Sequence, residues 1–518
     1  MPKARNVLLI VADQWRGDSL GILGHTASLT PNLDSLARRG VTFREHFCQG
    51  APCGPARASL LTGLYMMNHR VVANGVPLDP RHPTLVQEVK RAGIDPALIG
   101  YTTTIPDPRV AGPNDPAFIE GGDLMAGWRL VAHFDEVEHR NYFAWVASKG
   151  HSIPDDPMTL WHPADGVCGP TASPSRIPAD LSDTAWSASH AVEFLRSTRS
   201  NRPWLLHLGF YRPHPPFAAP APWHEAVPEA DIPPALRGSL EAEATQHPLL
   251  KHFYETQKRS SYFEGASGTV APLSDRDIAL TRRAYYGMIA EVDHRLGEVL
   301  DALQRSGQMD DTLIVFTSDH AEQLGDHNLL GKLGWFDQSY NVPLIVVDPD
   351  RSADASRGRI VDAPTESIDI MPTILEWLGL PLPRSRDGAS LRPWLAGDTP
   401  AAWRDAAHFE FDLRGGWPRA EPPPFGLDLD RASLCVTRTA DWKYVHFADL
   451  PPILYDRRRD PGEFRNVAAD PAYTALLAEA AQHMLSWRMT HAERTLTHLS
   501  TTRDGLMDRV AGTRWTSR

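Results

Sequence analysis

Polar and reactive side chains that could carry chemistry stand in three widely separated pairs: Asp13 with Gln14, Cys53 with Arg57, and Asp319 with His320. Two carboxylates, an amide oxygen and an imidazole form a ligand set suited to Ca²⁺, Mg²⁺ or Mn²⁺, and the imidazole moves the preference toward Mn²⁺ or Zn²⁺. A single Asp after a strand is commonly a turn former or a helix cap. The prediction of a site therefore depends on the three pairs coming together in the fold.

The cysteine lies in a stretch from Pro52 to Gly63 that predicts a short helix. Pro55 suits the first turn, where its missing N–H costs nothing, and Gly63 is a stop signal. Cys53 would then lie beside unpaired N–H groups at the positive end of the helix dipole, with Arg57 one turn later on the same face. We expect an anion there, although an isolated cysteine is more often packed as a small apolar residue.

Two continuous apolar runs position the carboxylate pairs. Residues 6–12 (NVLLIVA) and 312–317 (TLIVFT) each indicate a strand that is buried on both faces of a parallel sheet. Asp13 and Asp319 follow these runs, at carboxyl ends where open α/β sheets bind their ligands. The alternation of strands and helices predicts a doubly wound, mostly parallel α/β fold, with further strands at 97–100 and 204–209 and helices at 31–39, 86–92, 181–197, 275–306 and 366–378.

The length of 518 residues predicts two domains, since one ordinary domain is shorter. The α/β pattern covers residues 1–395, and short strands with a helix at 471–487 predict a smaller α+β domain over 396–490. Residues 491–518 form a polar tail whose role the sequence leaves open. Residues 105–178 are rich in Gly, Pro and aromatic residues without a sustained period. They predict a long insertion over the carboxyl edge of the sheet that forms a wall of the substrate pocket.

The net charge of −12 argues against a nucleic-acid or anionic-membrane partner, so an anionic substrate would need a locally positive pocket. The apolar residues 7–12 are too few for a signal segment or a membrane span, which predicts a cytoplasmic protein. The four cysteines show no CxxC spacing and indicate neither a disulfide framework nor a zinc site. The subunit number stays open, a homo-oligomer included.

The run 53–63 (CGPARASLLTG) resembles the signature of the sulfatase family, which belongs to the alkaline phosphatase superfamily. Residues 318–344 resemble the second sulfatase block, and residues 454–461 resemble the C-terminal block. Within the family, the chain is most similar to the phosphonate monoester hydrolase and arylsulfatase branch, through residues 12–15 (ADQW), 67–70 (MNHR), 99–103 (IGYTT) and 106–108 (PDP).

The resemblance implies that a formylglycine-generating enzyme oxidises Cys53 to formylglycine, so that the working group is an aldehyde hydrate. It implies one divalent metal ion, with Mn²⁺ or Ca²⁺ preferred and Zn²⁺ as an alternative, held by Asp13, Gln14, Asp319 and His320. It places around the transferred group the side chains of Arg57, Asn74, Tyr101, Thr103, His214 and Lys332. Many sulfatases carry Asn where His320 stands, so the resemblance does not fix calcium as the metal.

Tyr101 and Thr103 stand where many sulfatases have a lysine and a histidine. One charge pair at about 4 Å in an effective dielectric near 20 contributes roughly 4 kcal/mol, so a missing lysine disfavours a doubly charged substrate head. Sulfate monoesters, phosphonate monoesters and phosphate diesters are monoanions, whereas phosphate monoesters are mostly dianions at neutral pH. The resemblance therefore implies a small-molecule monoanionic ester as substrate.

The mechanism that the resemblance implies is attack by one aldehyde-hydrate hydroxyl on sulfur or phosphorus, followed by collapse to the aldehyde. His214 would donate a proton to the leaving group. Three alternatives stay open: a phosphonate monoester hydrolase or phosphodiesterase with sulfatase activity only as a side reaction, a catalytically inactive binding protein of the same fold, and mutase-like chemistry. The mutase alternative requires a Ser or Thr nucleophile and a second metal cluster, which the sequence does not show.

Overall fold

The computed structural model describes residues 5–112, 118, 124–136, 138–198, 202–414 and 423–515. Within these residues the strands are β1 (Asn6–Ala12), β2 (Val41–Phe43), β3 (His46–Phe47), β4 (Gly50–Ala51), β5 (Asp95–Gly100), β6 (Arg129–His133), β7 (Trp204–Phe210), β8 (Thr312–Ser318), β9 (Leu344–Val347), β10 (Arg359–Val361), β11 (Thr365–Glu366), β12 (Ala406–Asp412), β13 (Ser433–Thr439), β14 (Trp442–Phe447), β15 (Ile453–Asp456), β16 (Leu499–Thr502), β17 (Gly505–Asp508) and β18 (Thr513–Arg514).

The α-helices of the described residues are α1 (Pro31–Arg39), α2 (Cys53–Thr62), α3 (Met66–His69), α4 (Leu85–Arg91), α5 (Pro108–Ala111), α6 (Arg140–Ser148), α7 (Asp183–Ser197), α8 (Leu240–Ala244), α9 (Pro248–Thr256), α10 (Asp275–Arg305), α11 (Asp337–Tyr340), α12 (Ile370–Trp377), α13 (Arg392–Leu395) and α14 (Thr474–Thr490). The long helix α10 begins with a reciprocal capping pair between Ser274 and Asp277.

Within the described residues, a sheet of eight strands in the order β10-β2-β9-β8-β1-β7-β5-β6 forms the centre of the molecule. Only β9 runs antiparallel to its neighbours β2 and β8, and the other pairings in this sheet are parallel. The strands β8, β1, β7, β5 and β6 therefore present their carboxyl ends at one edge of the sheet. This arrangement confirms the predicted doubly wound, mostly parallel α/β fold.

Alternate side chains of β1 enter two separate hydrophobic cores. Leu8 and Ile10 pack on the face that is covered by α1, α7 and α10. Val7 and Leu9 pack on the opposite face, with α2, α4 and α12. Because both faces are covered, β1 is apolar along its length, and this explains why its sequence shows a continuous run rather than an alternating one.

The C-terminal part contains a second sheet in the order β15-β14-β13-β12-β4. Its last strand, β4, comes from the N-terminal part and pairs with β12 through Gly50 and Ala51. Helix α14 packs against this sheet, and β16, β17 and β18 form a small antiparallel sheet within the tail. The smaller α+β unit therefore contacts the residues directly before Cys53. The predicted domain boundary at residue 395 does not reflect this contact.

Two predicted elements differ in the structure. The region 105–178 is not wholly irregular, because β6 joins the central sheet as its edge strand and α6 follows it; residues 113–117, 119–123 and 137 of this region lie outside the described residues. Arg129 and Leu130 in β6 are exposed, so the strand shows no buried apolar run. The helix predicted over 366–378 begins only at Ile370, after the short strand β11.

Candidate active site

The carboxyl ends of neighbouring parallel strands bring the predicted polar residues to one place. Asp13 follows β1 and Asp319 follows β8, and both side chains are buried. The Gln14 N–H donates to Asp319 Oδ1 at 3.2 Å, as does the His320 N–H at 2.9 Å. Gln14 adopts a left-handed backbone conformation with φ of 68°, which turns the chain sharply at the end of β1. Backbone hydrogen bonds to Asp319 therefore hold the Asp13–Gln14 pair next to the Asp319–His320 pair.

The helix α2 places Cys53 at its first position, as the sequence predicts. The Cys53 sulfur lies 3.2 Å from His320 Nε2 and 3.6 Å from Lys332 Nζ. Asn74 Oδ1 accepts a hydrogen bond of 2.7 Å from the Gly54 N–H. A Cβ atom at Gly54 would lie 3.1 Å from both Asn74 Oδ1 and the Thr103 carbonyl oxygen, so a side chain here would require these neighbours to shift by a few tenths of an ångström.

The Arg57 guanidinium faces the carboxylates in this structure. Its Nε donates to Asp319 Oδ2 at 2.9 Å, and one terminal nitrogen donates to Asp13 Oδ2 at 3.0 Å. The other terminal nitrogen donates to the Tyr101 carbonyl oxygen at 3.1 Å. All three nitrogens of a fully buried side chain are thus engaged, and Arg57 fixes the orientation of both acidic side chains.

A candidate metal centre lies among Asp13, Cys53, Asp319 and His320, whose potential ligand atoms all lie within 4.8 Å of one another. His320 Nε2 is 3.8 Å from both Asp13 Oδ1 and Asp319 Oδ2. Asp13 Oδ1 is buried and has no hydrogen-bond partner among the residues that the structure describes. A buried oxygen that lacks a donor needs a cation to compensate its desolvation, so the residues present fit a divalent ion.

Gln14 is placed beside this group by two further residues. Its Oε1 accepts a 2.8 Å hydrogen bond from Lys332 Nζ, and its Nε2 donates to Glu322. Glu322 is fully buried and also accepts from the backbone N–H groups of Leu324 and Gly331. No role for Glu322 was predicted from the sequence, although this acidic residue lies two positions after His320.

The electrostatic environment shifts the pKa values of Asp13 and Asp319 in opposite directions. Burial, reinforced by the neighbouring charge of Asp319, raises the pKa of Asp13. Burial also opposes the charged form of Asp319, but His320, Arg57 and Lys332 outweigh it and lower the pKa of that carboxyl well below its usual range. Burial lowers the pKa of His320 to about 4, so this imidazole is neutral at pH 7 and can act as a metal ligand.

The thiol and the lysine respond to the same surroundings in opposite ways. Burial, together with the negative charge of Asp13, raises the pKa of the Cys53 thiol well above its ordinary value. Burial opposes the charge of Lys332, but nearby anionic groups outweigh it and raise the pKa of the ammonium. The unmodified cysteine is therefore a neutral thiol next to a cation, which is a poor environment for thiolate chemistry.

Tyr101 and Thr103 follow β5 and are both buried, but their hydroxyls point to different carboxylates. The Tyr101 hydroxyl donates to Asp13 Oδ2 at 2.6 Å. The Thr103 hydroxyl donates to Glu136 Oε2 at 2.8 Å. Glu136 follows β6, and no role for it was predicted from the sequence because it lies in the region predicted to be irregular.

His214 follows β7 and lies next to the aromatic ring of Tyr211, with ring centroids 4.7 Å apart. Its Nδ1 donates to the Pro215 carbonyl oxygen at 2.8 Å, since a carbonyl only accepts. Burial and the positive charge of Lys332 lower the pKa of His214 well below its ordinary value. The neutral ring therefore presents an unprotonated Nε2 in the absence of an anion.

A cleft of about 460 Å³ leads to the site and is bordered by Gln14, His214 and Lys332. Farther out it is lined by the apolar or aromatic side chains of Phe253, Tyr262, Leu333, Phe411, Leu413 and Pro424. Phe253 and Tyr262 of this outer wall precede β8, Leu333 follows β8, and the others lie in β12 or after it. Such a cleft can hold the organic part of an ester while its charged head reaches Cys53.

The family model described as Sulfatase matches residues 5–380. The chain belongs to the sulfatase family. A second model, described as N-sulphoglucosamine sulphohydrolase, C-terminal, matches residues 325–490. Sulfatases form part of the alkaline phosphatase superfamily, and this sulfatase is accordingly an enzyme, a hydrolase of that family. Members of the family use a metal ion and formylglycine, in agreement with the possible metal site around Cys53.

Several relatives of this sulfatase are similar over nearly the whole chain. It is 49% identical to the multifunctional alkaline phosphatase superfamily protein PehA of Trinickia caryophylli, over 98% of this chain and 99% of the relative. The solved phosphonate monoester hydrolase of Agrobacterium radiobacter is 42% identical, with a TM-score of 0.93 and coverage of 98% and 99%. An arylsulfatase of Clostridium perfringens is 28% identical over 90% of this chain and 91% of the relative. Among the described residues, no helix combines the length and the apolar composition of a membrane-spanning segment.

Proposed function

We propose that this sulfatase is a metal- and formylglycine-dependent hydrolase of monoanionic esters that acts through residue 53. The observation that carries the proposal is the position of the Cys53 sulfur, at the start of α2 and within 4.8 Å of ligand atoms of Asp13, Asp319 and His320. A residue at this position would face both a bound cation and a substrate anion. The substrates would be sulfate monoesters, phosphonate monoesters and phosphate diesters.

The two groups that the family implies have identifiable places in this chain. Asp13, Asp319 and His320 would hold the divalent ion, with Gln14 beside them, and the ion would supply Lewis acidity and a lowered hydroxyl pKa when bound. Cys53 would become formylglycine through a formylglycine-generating enzyme, and its hydrate would supply the attacking hydroxyl. Asp13 Oδ1 is buried and lacks a hydrogen-bond partner within the described part of the chain, which supports the metal; the burial of the Cys53 thiol supports a group other than a thiolate.

The surrounding cations would stabilise charge that develops in the transition state. Lys332 Nζ lies 3.6 Å from the Cys53 sulfur and can reach an oxygen of the transferred group. Arg57 would hold the two carboxylates in place through its hydrogen bonds to Asp13 and Asp319. An arginine so engaged contributes more to orientation of the ligands than to direct contact with the substrate.

His214 would move the proton to the leaving group. Its Nε2 is unprotonated in the neutral ring, because Nδ1 donates to the Pro215 carbonyl oxygen. A bound anion would raise the pKa of this buried imidazole and allow it to carry a second proton. The protonated ring would then be a general acid at the side of the cleft where the leaving group lies.

Among the three ester classes, similarity favours phosphonate monoesters and phosphate diesters as the main substrates, with sulfate monoesters as a secondary class. The chain is 42% identical to the phosphonate monoester hydrolase of Agrobacterium radiobacter and 37% identical to that of Silicibacter pomeroyi. It is only 28% identical to the arylsulfatase of Clostridium perfringens. An arylsulfatase with phosphonate and diester side activities is the second candidate function.

The test compares initial rates on three esters that share a 4-nitrophenol leaving group: a sulfate monoester, a methylphosphonate monoester and a methyl phosphate diester. Mass spectrometry of the peptide with residue 53 gives the formylglycine fraction of each preparation. We expect turnover on all three esters in proportion to that fraction. Equal turnover by fully unmodified protein, or no turnover by fully modified and Mn²⁺-loaded protein, would contradict the proposal.

A further inference from the structure

The strand β6 brings a carboxylate to the candidate active site that no part of the proposed mechanism uses. Gly100 at the end of β5 pairs with His133 at the end of β6, and the Phe134 N–H donates to the Gly100 carbonyl oxygen at 3.1 Å. The segments that follow β5 and β6 therefore leave the sheet side by side. Thr103 and Glu136 each lie three residues beyond this pairing, and their side chains meet at 2.8 Å.

We propose that Glu136 is a specificity-determining residue, which makes the site reject doubly charged phosphate monoesters in favour of singly charged esters. This inference rests on the proposed function, because it concerns the charge of the ester that reaches residue 53. Glu136 would act at a distance through its negative charge and would not take part in the reaction itself.

The formal charges around the site show what this carboxylate changes. Asp13, Asp319, Glu322 and Glu136 are acidic, while Arg57, Lys332 and a divalent ion would supply the positive charge. Without Glu136 the cations would exceed the anions by one charge, which a dianionic head could use. With Glu136 the formal charges of these described groups cancel, and because Coulomb repulsion scales with charge, Glu136 repels a dianionic head about twice as strongly as a monoanionic one.

The position of Thr103 strengthens this effect. Its backbone has a left-handed conformation with φ of 47°, uncommon for a β-branched residue, and its carbonyl oxygen approaches Gly54 next to Cys53. Its hydroxyl proton is committed to Glu136. Thr103 can therefore offer a substrate oxygen a lone pair but no hydrogen-bond donor, and a lone pair disfavours additional negative charge on that oxygen.

The charge of Glu136 also reaches the aromatic residues beside the site. Burial raises the pKa of Tyr211, and the negative charge of Glu136 adds to the rise. Tyr211 follows β7, and its ring packs against Tyr101 and His214. A substrate anion next to Cys53 would experience the same repulsion.

The test compares Glu136→Gln with wild type, because glutamine keeps an acceptor for the Thr103 hydroxyl and removes only the charge. Glu138→Gln is the matched control, since it removes the same charge from an exposed side chain that pairs with Arg140. Formylglycine-bearing, Mn²⁺-loaded protein is assayed at pH 8 on 4-nitrophenyl phosphate and methyl 4-nitrophenyl phosphate. The readout is the ratio of the two kcat/KM values, which a general loss of stability or of active enzyme does not change.

We expect Glu136→Gln to raise the monoester-to-diester ratio by about tenfold, the order of magnitude for one like charge in a partly desolvated site, and Glu138→Gln to leave it within about twofold. An unchanged or lowered ratio in Glu136→Gln overturns the inference. So does an equal rise in both variants, because net charge alone would then be responsible.

A binding measurement separates this inference from the proposed function. Calorimetry with the Mn²⁺-loaded Cys53→Ala chain, with and without Glu136→Gln, compares the Kd of phenyl phosphate with that of phenyl sulfate. We expect the loss of Glu136 to tighten phenyl phosphate about tenfold more than phenyl sulfate. Equal changes in both Kd values, or no binding of either ester, overturn the inference, whereas a wild-type enzyme that hydrolyses no ester overturns the proposed function alone.

Discussion

The Tyr101 hydroxyl donates to Asp13 Oδ2 across 2.6 Å, and Arg57 donates to the same oxygen at 3.0 Å. Both donors thus satisfy one oxygen of the carboxylate, whereas Asp13 Oδ1 is buried and no described residue forms a hydrogen bond with it. This division gives the two oxygens different tasks, one for orientation and one for a cation. Tyr101 therefore lies behind the candidate metal centre, although the sequence suggests only a contact with the transferred group.

The first prediction is that Tyr101→Phe weakens metal binding by about tenfold to a hundredfold, because removal of a hydrogen bond that orients a ligand commonly has this effect. Titration of the metal-free protein with Mn²⁺ in a calorimeter measures the change. Tyr444→Phe is the control, since that hydroxyl contacts His446 within the C-terminal sheet and not the site. Identical Mn²⁺ affinities for Tyr101→Phe and wild type would show that the hydroxyl does not orient Asp13.

The second prediction concerns residue 53. Cys53→Ser removes the group that can be oxidised and leaves one hydroxyl, so the enzyme loses the second hydroxyl that releases the transferred group. We expect kcat to fall by at least about a thousandfold, with the substrate-derived group retained on the protein. Intact mass after incubation with an aryl methylphosphonate detects the retained group. Rapid multiple turnover by the serine variant would be incompatible with the proposed role of formylglycine.

The third prediction links buried histidines to stability at low pH. His207 in β7 is buried, and neither ring nitrogen has a hydrogen-bond partner in the described ranges of the chain; burial lowers its pKa to about 3. The unfolded chain, with a histidine pKa near 6.5, binds a proton that the folded chain refuses between these two values. The contribution of neutral His207 to the free energy of unfolding is therefore complete above about pH 6.5 and declines as the pH falls toward about 3.

We expect His207→Gln to reduce by one the difference in the number of bound protons between the unfolded and the folded chain. Between about pH 6.5 and 4.5, the unfolding free energy of the variant should decrease by roughly 2 kcal/mol less than that of wild type. Urea unfolding at these two pH values measures it, and the exposed His294 provides a control in His294→Gln. Parallel curves for His207→Gln and wild type would show that His207 does not couple stability to pH.

The sequence was sufficient where a polar residue follows a long buried strand or a strong helix signal. Asp13 and Asp319 follow continuous apolar runs, and Cys53 begins a helix that Pro55 and Gly63 delimit, so their meeting at one sheet edge follows from parallel topology. The edge strand β6 could not be predicted in the same way, because Arg129 and Leu130 are exposed and interrupt any apolar run.

The partners of the site residues were harder to predict than the residues themselves. Glu322 and Glu136 act through hydrogen bonds to Gln14 and Thr103, and such pairings across 308 and 33 positions of the chain leave no local pattern. The pairing of β4 with β12 is equally difficult to predict, since Gly50 and Ala51 show no strand pattern of their own. Sequence patterns thus indicate which groups meet, while tertiary packing decides which atoms face one another.

The last prediction separates proton transfer from substrate binding. His214 lies on a loop that Arg212 fixes, with one Arg212 nitrogen donating to the His214 and Pro216 carbonyl oxygens at 2.9 and 3.0 Å. The ring is therefore held in place. Its role as a proton donor can be tested with esters whose leaving groups differ in basicity. We expect His214→Gln to lower kcat about a hundredfold or more for a phenyl or alkyl phosphonate ester, whose leaving oxygen needs a proton.

For the 4-nitrophenyl ester the same variant should lose only a few-fold, because 4-nitrophenolate leaves without protonation. The ratio of the two losses, measured on one protein preparation, cancels differences in folding and in formylglycine content. The Arg212→Lys variant should show the same leaving-group dependence in weaker form, since lysine keeps the charge near Asp183 but cannot hold both carbonyl oxygens in the same geometry. Equal losses on both esters in His214→Gln would assign His214 to binding of the anion rather than to proton donation.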